Sequence, residues 1–189
     1  MQLSFFPTEL PDVIHITGES YEDDRGLFTE LYRADAITGE LGIDTFLQSN
    51  MARSAAHALR GLHYQVPPHD IGKLVICLRG QIFDVAVDIR HDSETYGRWV
   101  GKVLSHPAES LWIPAGFAHG YYSMEPSIVL YNMTNYYHKA SDRSIKWDDP
   151  SLDIDWPLVN RKPLVSDRDT AAPSFEEASK ELESFVTSL

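Results

Sequence analysis

The chain has 189 residues, which is enough for one domain with a substantial core, and a formal net charge of −12 at pH 7. The negative charge argues against a nucleic-acid-binding surface, which needs clustered cations, although a small anionic ligand needs only a few arginines and lysines. The single cysteine, Cys77, excludes an internal disulfide, and no apolar run approaches membrane-spanning length, so we expect a cytoplasmic protein without a nucleic-acid or membrane partner.

Short β-strands separated by turn signals are predicted from about residue 13 to residue 147. The predicted strands cover residues 13–16, 27–32, 46–50, 59–65, 73–79, 81–89, 98–104, 110–113 and 128–137. Their regular spacing, with few helical periods, is typical of an all-β sandwich or jelly roll. Arg79-Gly80 lies between two apolar strands and predicts a tight hairpin.

The last third of the chain has a different pattern. Residues 148–157 are rich in turn signals, and residues 158–170 indicate an ordered but irregular segment. Ser174 followed by Glu177 has the spacing of a capping box, and apolar residues then recur at helical intervals. We predict a single domain over residues 1–189, with an irregular and helical C-terminal wrap from about residue 150.

His63 is the first candidate for chemistry. In an alternating strand it shares a face with Gly61 and Gln65, while Leu62 and Tyr64 pack behind. A second histidine at position 65 would favour a metal site, because first-row metals take several imidazole or carboxylate ligands. Gln65 is a poor ligand, so we predict that His63 moves protons. The alternative is a histidine with only a structural role inside the barrel.

Asp84 and Asp88 lie inside an apolar strand, where a carboxylate without a partner is costly. His63, His119 and Lys73 are the obvious partners. Lys73 opens the preceding strand, a position where a lysine is more often simply solvated.

The segment 112–120 runs from a strand through Pro-x-Gly to His119, which we expect at the start of the next strand. It resembles the second sequence motif of cupin barrels, whose histidine points into the barrel, and residues 61–65 resemble a degraded first motif. The resemblance implies an all-β fold, a cupin-type double-stranded β-helix (jelly roll) with short C-terminal helical elements. The loss of the first motif implies that no metal is bound.

An ordered set of motifs makes the resemblance more specific. The chain resembles the dTDP-4-dehydrorhamnose 3,5-epimerase family of nucleotide-sugar enzymes over roughly residues 5–173. The matching motifs are residues 24–30, 48–50, 59–65, 72–75, 83–90, 113–120, Tyr131 with 134–137, 145–150, 154–157 and 166–169.

The resemblance assigns catalytic roles residue by residue. It implies that His63 is the base and Tyr131 the acid on the opposite face of the sugar. It also implies that Asp169 orients His63 and that Lys73 stabilises negative charge on the C4 oxygen. The matching substrate-binding positions are Arg25, Glu30, Gln48, Asn50, Arg60, Lys73, His119, Tyr137, Asp142 and Arg168, with Tyr137 stacking on the base.

These residue types suit the implied reaction. A hydrogen next to a ketone becomes acidic only if the enolate is stabilised, which a nearby cation such as Lys73 can do. Histidine is a suitable base near neutral pH, and a tyrosine of pKa about 10 can return a proton from the other face. No cofactor is needed. The resemblance further implies a nucleotide-diphosphate sugar as substrate and a homodimer with exchanged N-terminal strands.

Three positions depart from the family pattern. Asn132 replaces a lysine, while Asp142 and Arg168 replace a glutamate and a lysine with the charge sign kept. The sequence leaves open the nucleotide, the sugar, and whether C3, C5 or both are inverted. A single-centre epimerase is therefore one alternative. From other classes, the alternatives are a metal-dependent cupin dioxygenase or isomerase, with His63 and His119 as ligands, and a non-catalytic sugar-binding cupin, which has no use for an acid and a base.

Overall fold

A computed structural model describes residues 2–159 and 161–186. This part of the chain contains thirteen β-strands and three α-helices. The strands are β1 Ser4–Pro7, β2 Ile14–Thr17, β3 Ser20–Asp23, β4 Gly26–Thr29, β5 Gln48–Ser54, β6 Leu59–Gln65, β7 Lys73–Arg79, β8 Ile82–Asp88, β9 Trp99–Leu104, β10 Glu109–Ile113, β11 Phe117–Ser123, β12 Ser127–Met133 and β13 Asp142–Ser144. The helices are α1 Ala34–Leu41, α2 Asp167–Thr170 and α3 Phe175–Val186. No helix in the described ranges is long and apolar enough to cross a membrane.

Two antiparallel sheets form the body of the protein. The first has the strand order β1-β2-β10-β7-β12-β5 and the second has the order β13-β6-β11-β8-β9. Alternate residues of both sheets meet in one core cluster, in which Val75 and Val129 of the first sheet pack with Ala86 and Tyr121 of the second. The predicted all-β jelly roll is confirmed.

Strands β3 and β4 form a separate hairpin that pairs with neither large sheet. Three of its large side chains are exposed to solvent: Tyr21, Leu27 and Phe28 are 57%, 43% and 65% accessible. The hairpin therefore presents an apolar surface that a single copy of the chain does not cover.

The hairpin predicted at Arg79-Gly80 is wrong. Strands β7 and β8 on its two sides belong to different sheets, so the turn carries the chain across the jelly roll. Gly80 has a φ of +80°, and a side chain there would collide with the carbonyl of Pro126. Glycine is required because the crossing brings two backbones together in a left-handed conformation.

A bulge in β6 changes which residues face the interior. His63 is opposite His119, whereas Arg60 is opposite Tyr121, so three steps on β6 match two steps on β11. The strict alternation expected from the sequence therefore fails between Arg60 and His63, and both side chains line one interior cavity. Gly61 permits the bulge, because its φ is +125° and a Cβ would lie 2.8 Å from the carbonyl oxygen of His119.

The C-terminal segment packs on the outer face of the second sheet. The predicted capping box is confirmed: the Ser174 hydroxyl accepts from the Glu177 N–H, and the Glu177 carboxylate accepts from the Ser174 N–H. Ala178 and Leu182 of α3 join the cluster that contains Leu62. The wrap thereby brings α2 beside β6.

Several elements were not anticipated from the sequence. These are α1 and the strands β1, β3 and β13, and the bounds of β4, β5 and β12 differ from those predicted by several residues. Helix α1 buries Ile37 against Leu74 and Trp112 on the outer face of the first sheet. One buried residue over eight is too weak a pattern to indicate a helix from sequence alone.

Candidate active site

His63, on the inner face of β6, forms a close pair with Asp169. The His63 Nε2 lies 2.6 Å from Oδ1 of Asp169, and the Gly61 N–H donates to Oδ2 at 3.4 Å. Asp169 is held in place because its backbone N–H is capped by the hydroxyl of Ser166 at the start of α2. Burial acts to raise the pKa of Asp169, but the hydrogen bond and positive charge of His63, with the Ser166 and Gly61 contacts, lower it overall.

The pairing leaves the other nitrogen of His63 available. The His63 side chain is 31% exposed, whereas that of Asp169 is only 4% exposed. A neutral His63 that donates its Nε2–H to Asp169 has Nδ1 as an acceptor. The arrangement suits a histidine that takes up a proton and becomes stabilised as an imidazolium by Asp169.

Lys73 crosses the interior from the first sheet to the second. Its Nζ donates to the carbonyl oxygen of His63 at 3.2 Å. Burial lowers the pKa of Lys73 to about 8, against the opposing effects of the negative charges on Asp84 and Asp142. A cation is thus held next to His63, within the space where a substrate oxygen could lie.

Tyr131 lies on β12, in the sheet opposite His63. His63, Lys73 and Tyr131 line both a cavity of about 220 Å³ at the mouth and one of about 170 Å³ deeper inside. No hydrogen bond joins the Tyr131 hydroxyl to any residue in the described part of the chain. The three side chains therefore surround one shared space, with the histidine and the tyrosine on opposite walls.

His119 and Asp84 form a second histidine–carboxylate pair, as predicted for Asp84. The His119 Nε2 lies 2.7 Å from Oδ1 of Asp84, and the two side chains are 8% and 0% exposed. Burial lowers the pKa of His119, which therefore stays neutral at neutral pH. His119 lines the inner cavity together with Arg60 and Tyr121.

The predicted partners of Asp88 are wrong. Its carboxylate is bound by Arg90, at 2.7 Å between Nη2 and Oδ2, and by the hydroxyls of Ser93 and Thr95 at 2.6 Å. Although burial acts to raise it, these hydrogen bonds lower the pKa of Asp88 to about 2. All three partners come from the loop after β8, which a strand-pairing argument does not consider.

Polar residues surround the mouth of the site. Gln48 and Asn50 follow one another on the inner face of β5, joined by a 3.0 Å hydrogen bond, and the Gln48 Oε1 accepts from the N–H of Tyr137. The Asp142 Oδ2 accepts from the Tyr137 hydroxyl at 3.0 Å and from Arg168 at 2.7 Å. The ring of Tyr137 is 52% exposed, so its face is available for stacking.

Two predicted binding residues lie elsewhere in the single chain. Arg25 is at the tip of the β3–β4 hairpin, 90% exposed and paired with Asp23. Glu30 follows the hairpin and lies 3.7 Å from Arg33. Neither residue lines the mouth cavity or the inner cavity.

Ser54 and Tyr121 were missed by the sequence analysis. The Tyr121 hydroxyl lies 3.0 Å from the Ser54 Oγ, which also accepts from the Nε of Arg60 at 3.0 Å. The contact orients Arg60 at the inner cavity. The alternation of β11 carried a signal for Tyr121, because it places residue 121 on the same face as His119.

Across residues 2–159 and 161–186, no three His, Cys, Asp or Glu side chains lie close enough to hold a metal ion. His63 and His119 were the two ligands of the metal-dependent alternative. Each of them binds a carboxylate through Nε2.

Comparison with known proteins agrees with this geometry. A family model described as dTDP-4-dehydrorhamnose 3,5-epimerase matches residues 7–177. The chain belongs to this family. A dTDP-4-dehydrorhamnose 3,5-epimerase from Shigella flexneri is 41% identical over 179 residues, which cover 93% of this epimerase and 98% of the relative.

Solved structures of the family have the same fold. The dTDP-6-deoxy-D-glucose 3,5-epimerase of Legionella pneumophila, in complex with dTDP-4-keto-L-rhamnose, is 42% identical with a TM-score of 0.90. The match covers 96% of this epimerase and 97% of that chain. A 3′-monoepimerase from Streptomyces bikiniensis, in complex with dTDP-quinovose, is 31% identical with a TM-score of 0.87, over 93% and 90% of the two chains. The cupin-type fold of this epimerase is thus confirmed.

Proposed function

We propose that this epimerase inverts both C3 and C5 of a dTDP-linked 4-keto-6-deoxyhexose, in the formation of a rhamnose-type sugar. The observation that carries the proposal is the shared cavity with His63 on one wall, Tyr131 on the opposite wall and Lys73 beside them. An inversion needs a proton removed from one face and returned to the other, and this arrangement supplies both groups.

The base in the proposed mechanism is His63. A neutral imidazole accepts the hydrogen next to the C4 ketone through Nδ1, while Asp169 holds Nε2 at 2.6 Å. The imidazolium that forms is stabilised by the Asp169 carboxylate, whose pKa is already lowered by His63. The pair therefore makes proton removal easier and fixes the direction from which it occurs.

Lys73 and Tyr131 complete the proposed reaction. The enolate places negative charge on the C4 oxygen, and the partly buried Lys73 ammonium stabilises this charge. The Tyr131 hydroxyl has no partner in the described part of the chain, so it is free to donate its proton to the opposite face of the enolate. The resulting tyrosinate and imidazolium exchange protons with solvent before the next step.

Substrate recognition is assigned to the residues around the two cavities. The exposed ring of Tyr137 stacks on the nucleotide base, with Asp142 and Arg168 beside it. The diphosphate is bound by cations, which are the strongest partners for phosphate oxygens. The proposed substrate-binding set is Gln48, Asn50, Arg60, Lys73, His119, Tyr137, Asp142 and Arg168, together with Arg25 and Glu30, which line neither cavity of their own chain.

The number of inverted carbons is the finer part of the proposal. Double inversion is supported by relatives named 3,5-epimerase at 38–45% identity, compared with 31% for the 3′-monoepimerase. The fold itself does not distinguish them, because both kinds of enzyme superimpose closely. Incubation with dTDP-4-keto-6-deoxyglucose in deuterated water tests the proposal. Deuterium at C3 and C5 of the product supports it, and deuterium at C3 alone would assign a monoepimerase.

We further propose a homodimer in which the β3–β4 hairpin packs on a second copy. The hairpin exposes Tyr21, Leu27 and Phe28 and carries Arg25 at its tip, away from the cavities of its own chain. Covering this surface removes apolar area from water and leaves Arg25 able to reach the second copy's site. Light scattering at micromolar concentration should give twice the mass of 21.4 kDa, and a monomer mass would contradict the proposal. A single domain and a cytoplasmic location stay predictions.

A further inference from the structure

Asp84 is a fully buried carboxylate with one oxygen that no residue satisfies. Its Oδ1 is bound by His119 at 2.7 Å, whereas its Oδ2 has no hydrogen-bond partner among the described residues. The side chain is 0% exposed. Burying a charged acceptor without a partner is unfavourable, so the position requires a compensating charge or a function.

The other acids around the interior already have partners. Asp169 is bound by His63, and Asp142 is bound by Arg168 and Tyr137. The titratable and charged groups that face this interior are Arg60 and His63 of β6, Lys73 and Cys77 of β7, Asp84 of β8, His119 and Tyr121 of β11, Tyr131 of β12, Tyr137, Asp142 of β13, and Arg168 and Asp169 of α2.

His119 does not neutralise the charge of Asp84. Burial lowers the pKa of His119 overall, against the opposing effect of the Asp84 carboxylate, and the neighbouring Lys73 acts in the same direction as burial. The neutral imidazole donates one N–H to Asp84 and carries no charge of its own. The negative charge of Asp84 also acts on Lys73, whose pKa it raises against the stronger effect of burial.

We propose that Asp84 is a positioning residue that keeps Lys73 charged and holds His119 with Nδ1 as a hydrogen-bond acceptor at the inner cavity. The inference rests on the proposed role of Lys73 in stabilising the enolate. The reason for the buried acid is then electrostatic: an ammonium group in this interior loses its proton more easily, and a deprotonated Lys73 cannot stabilise the charge on the C4 oxygen.

The substitution Asp84→Asn tests the effect of the negative charge separately from the effect of side-chain volume. Asparagine has nearly the same volume and its carbonyl oxygen still accepts from His119 Nε2, but the negative charge is gone. We expect the alkaline limb of the kcat/KM profile to move to lower pH by about one unit. Such a shift lowers kcat/KM roughly tenfold at pH 9 and less than twofold at pH 6. If Asp84→Asn does not fold, Asp84→Ser removes the charge with a smaller side chain.

Asp88→Asn is the matched control. Asp88 lies on the same face of the same strand and is equally buried, but its carboxylate is bound by Arg90 and it is not one of the charges that act on Lys73. This variant should be less stable, with the alkaline limb unchanged. General damage to β8 would shift the alkaline limb of the kcat/KM profile in both variants alike. An equal shift of this limb in Asp88→Asn would therefore overturn the inference.

Lys73→Arg identifies the group that titrates, because a guanidinium does not lose its proton in this pH range. The alkaline limb should disappear in Lys73→Arg, and adding Asp84→Asn to it should cause no further pH-dependent loss. If Lys73→Arg retains the wild-type limb and full activity, the proposed role of Lys73 fails.

NMR titration of labelled lysine side chains tests separately whether the charge of Asp84 raises the pKa of Lys73. A Lys73 midpoint equal in wild type and Asp84→Asn overturns the role of Asp84, and a lower midpoint in the variant supports it.

Discussion

The site contains two histidine–aspartate pairs whose histidines face each other across neighbouring strands, yet the pairs differ in their surroundings. His63 and His119 are opposite one another in the register of β6 and β11, and each binds a carboxylate through Nε2 at 2.6–2.7 Å. The His63 side chain is 31% exposed, whereas the His119 side chain is 8% exposed. Asp169 uses both of its oxygens, whereas one oxygen of Asp84 has no partner among the residues that the structure describes.

The two pairs have the same residue types, but they differ in solvent exposure and in the hydrogen bonds of their carboxylates. These differences suit them to different purposes. The His63–Asp169 pair opens on the shared cavity and can gain and lose a proton, so it suits the base. The His119–Asp84 pair is buried, and burial lowers the pKa of His119 and so favours its neutral form. The negative charge of Asp84 raises the pKa of Lys73. In our proposal, one pair moves protons and the other keeps Lys73 charged.

The largest difference between the pairs is expected from His63→Ala and His119→Ala. His63→Ala should lower kcat about 100- to 10,000-fold, because a positioned base is lost, while nucleotide binding is retained. His119→Ala should act mainly on KM, with kcat within about tenfold of wild type. Steady-state kinetics and calorimetric titration with dTDP measure the two effects. Equal losses of kcat in both variants would contradict the division of roles.

A smaller effect is expected from Asp169→Asn. The amide cannot stabilise an imidazolium by charge, and its NH₂ group favours the wrong tautomer of His63. We expect kcat to fall by about tenfold or more with KM little changed, but by less than in His63→Ala. In Asp84→Asn, by comparison, kcat/KM should fall mainly at alkaline pH. A loss in Asp169→Asn that appears only above pH 8 would mean that Asp169, too, acts through Lys73.

The smallest expected effect concerns stability, in a buried acid outside both pairs. The pKa of Asp88 is lowered to about 2 in the folded state, below its unfolded value, so its stabilisation is present above pH 4 and is lost as the pH falls through about 2. Asp88→Asn should lower the free energy of unfolding by about 2 kcal/mol at pH 7, with roughly half of that difference left near pH 3. Urea denaturation at both pH values measures it. A pH-independent difference would mean that packing, and not charge, dominates.

The sequence predicts local and periodic features of the molecule well. Alternation placed Leu62 and Tyr64 behind His63, and the capping-box spacing located the start of α3 at Ser174 and Glu177. The partner of Asp84 was among the three residues predicted for it. In the first two cases the neighbouring residues along the chain contain the relevant information, whereas the partner of Asp84 follows from the cost of burying a carboxylate alone.

Features set by contacts distant in sequence were not predictable in this way. The crossing at Gly80 depends on Pro126, and the bulge at Gly61 depends on the backbone of β11. Arg60 therefore faces the inner cavity against simple alternation. The roles given to Tyr131 and Asp169 came from the resemblance to a family, because no local pattern connects them with His63.

Solvent exchange in Tyr131→Phe tests the central claim, that acid and base work from opposite walls, most directly. The change removes only the hydroxyl, so packing in the sheet is nearly unchanged. His63 can still remove a proton and return it to the same face, so deuterium should enter the recovered starting material at close to the wild-type rate while net inversion falls about 100-fold. Unchanged inversion, or an equal loss of exchange and inversion, would contradict the account.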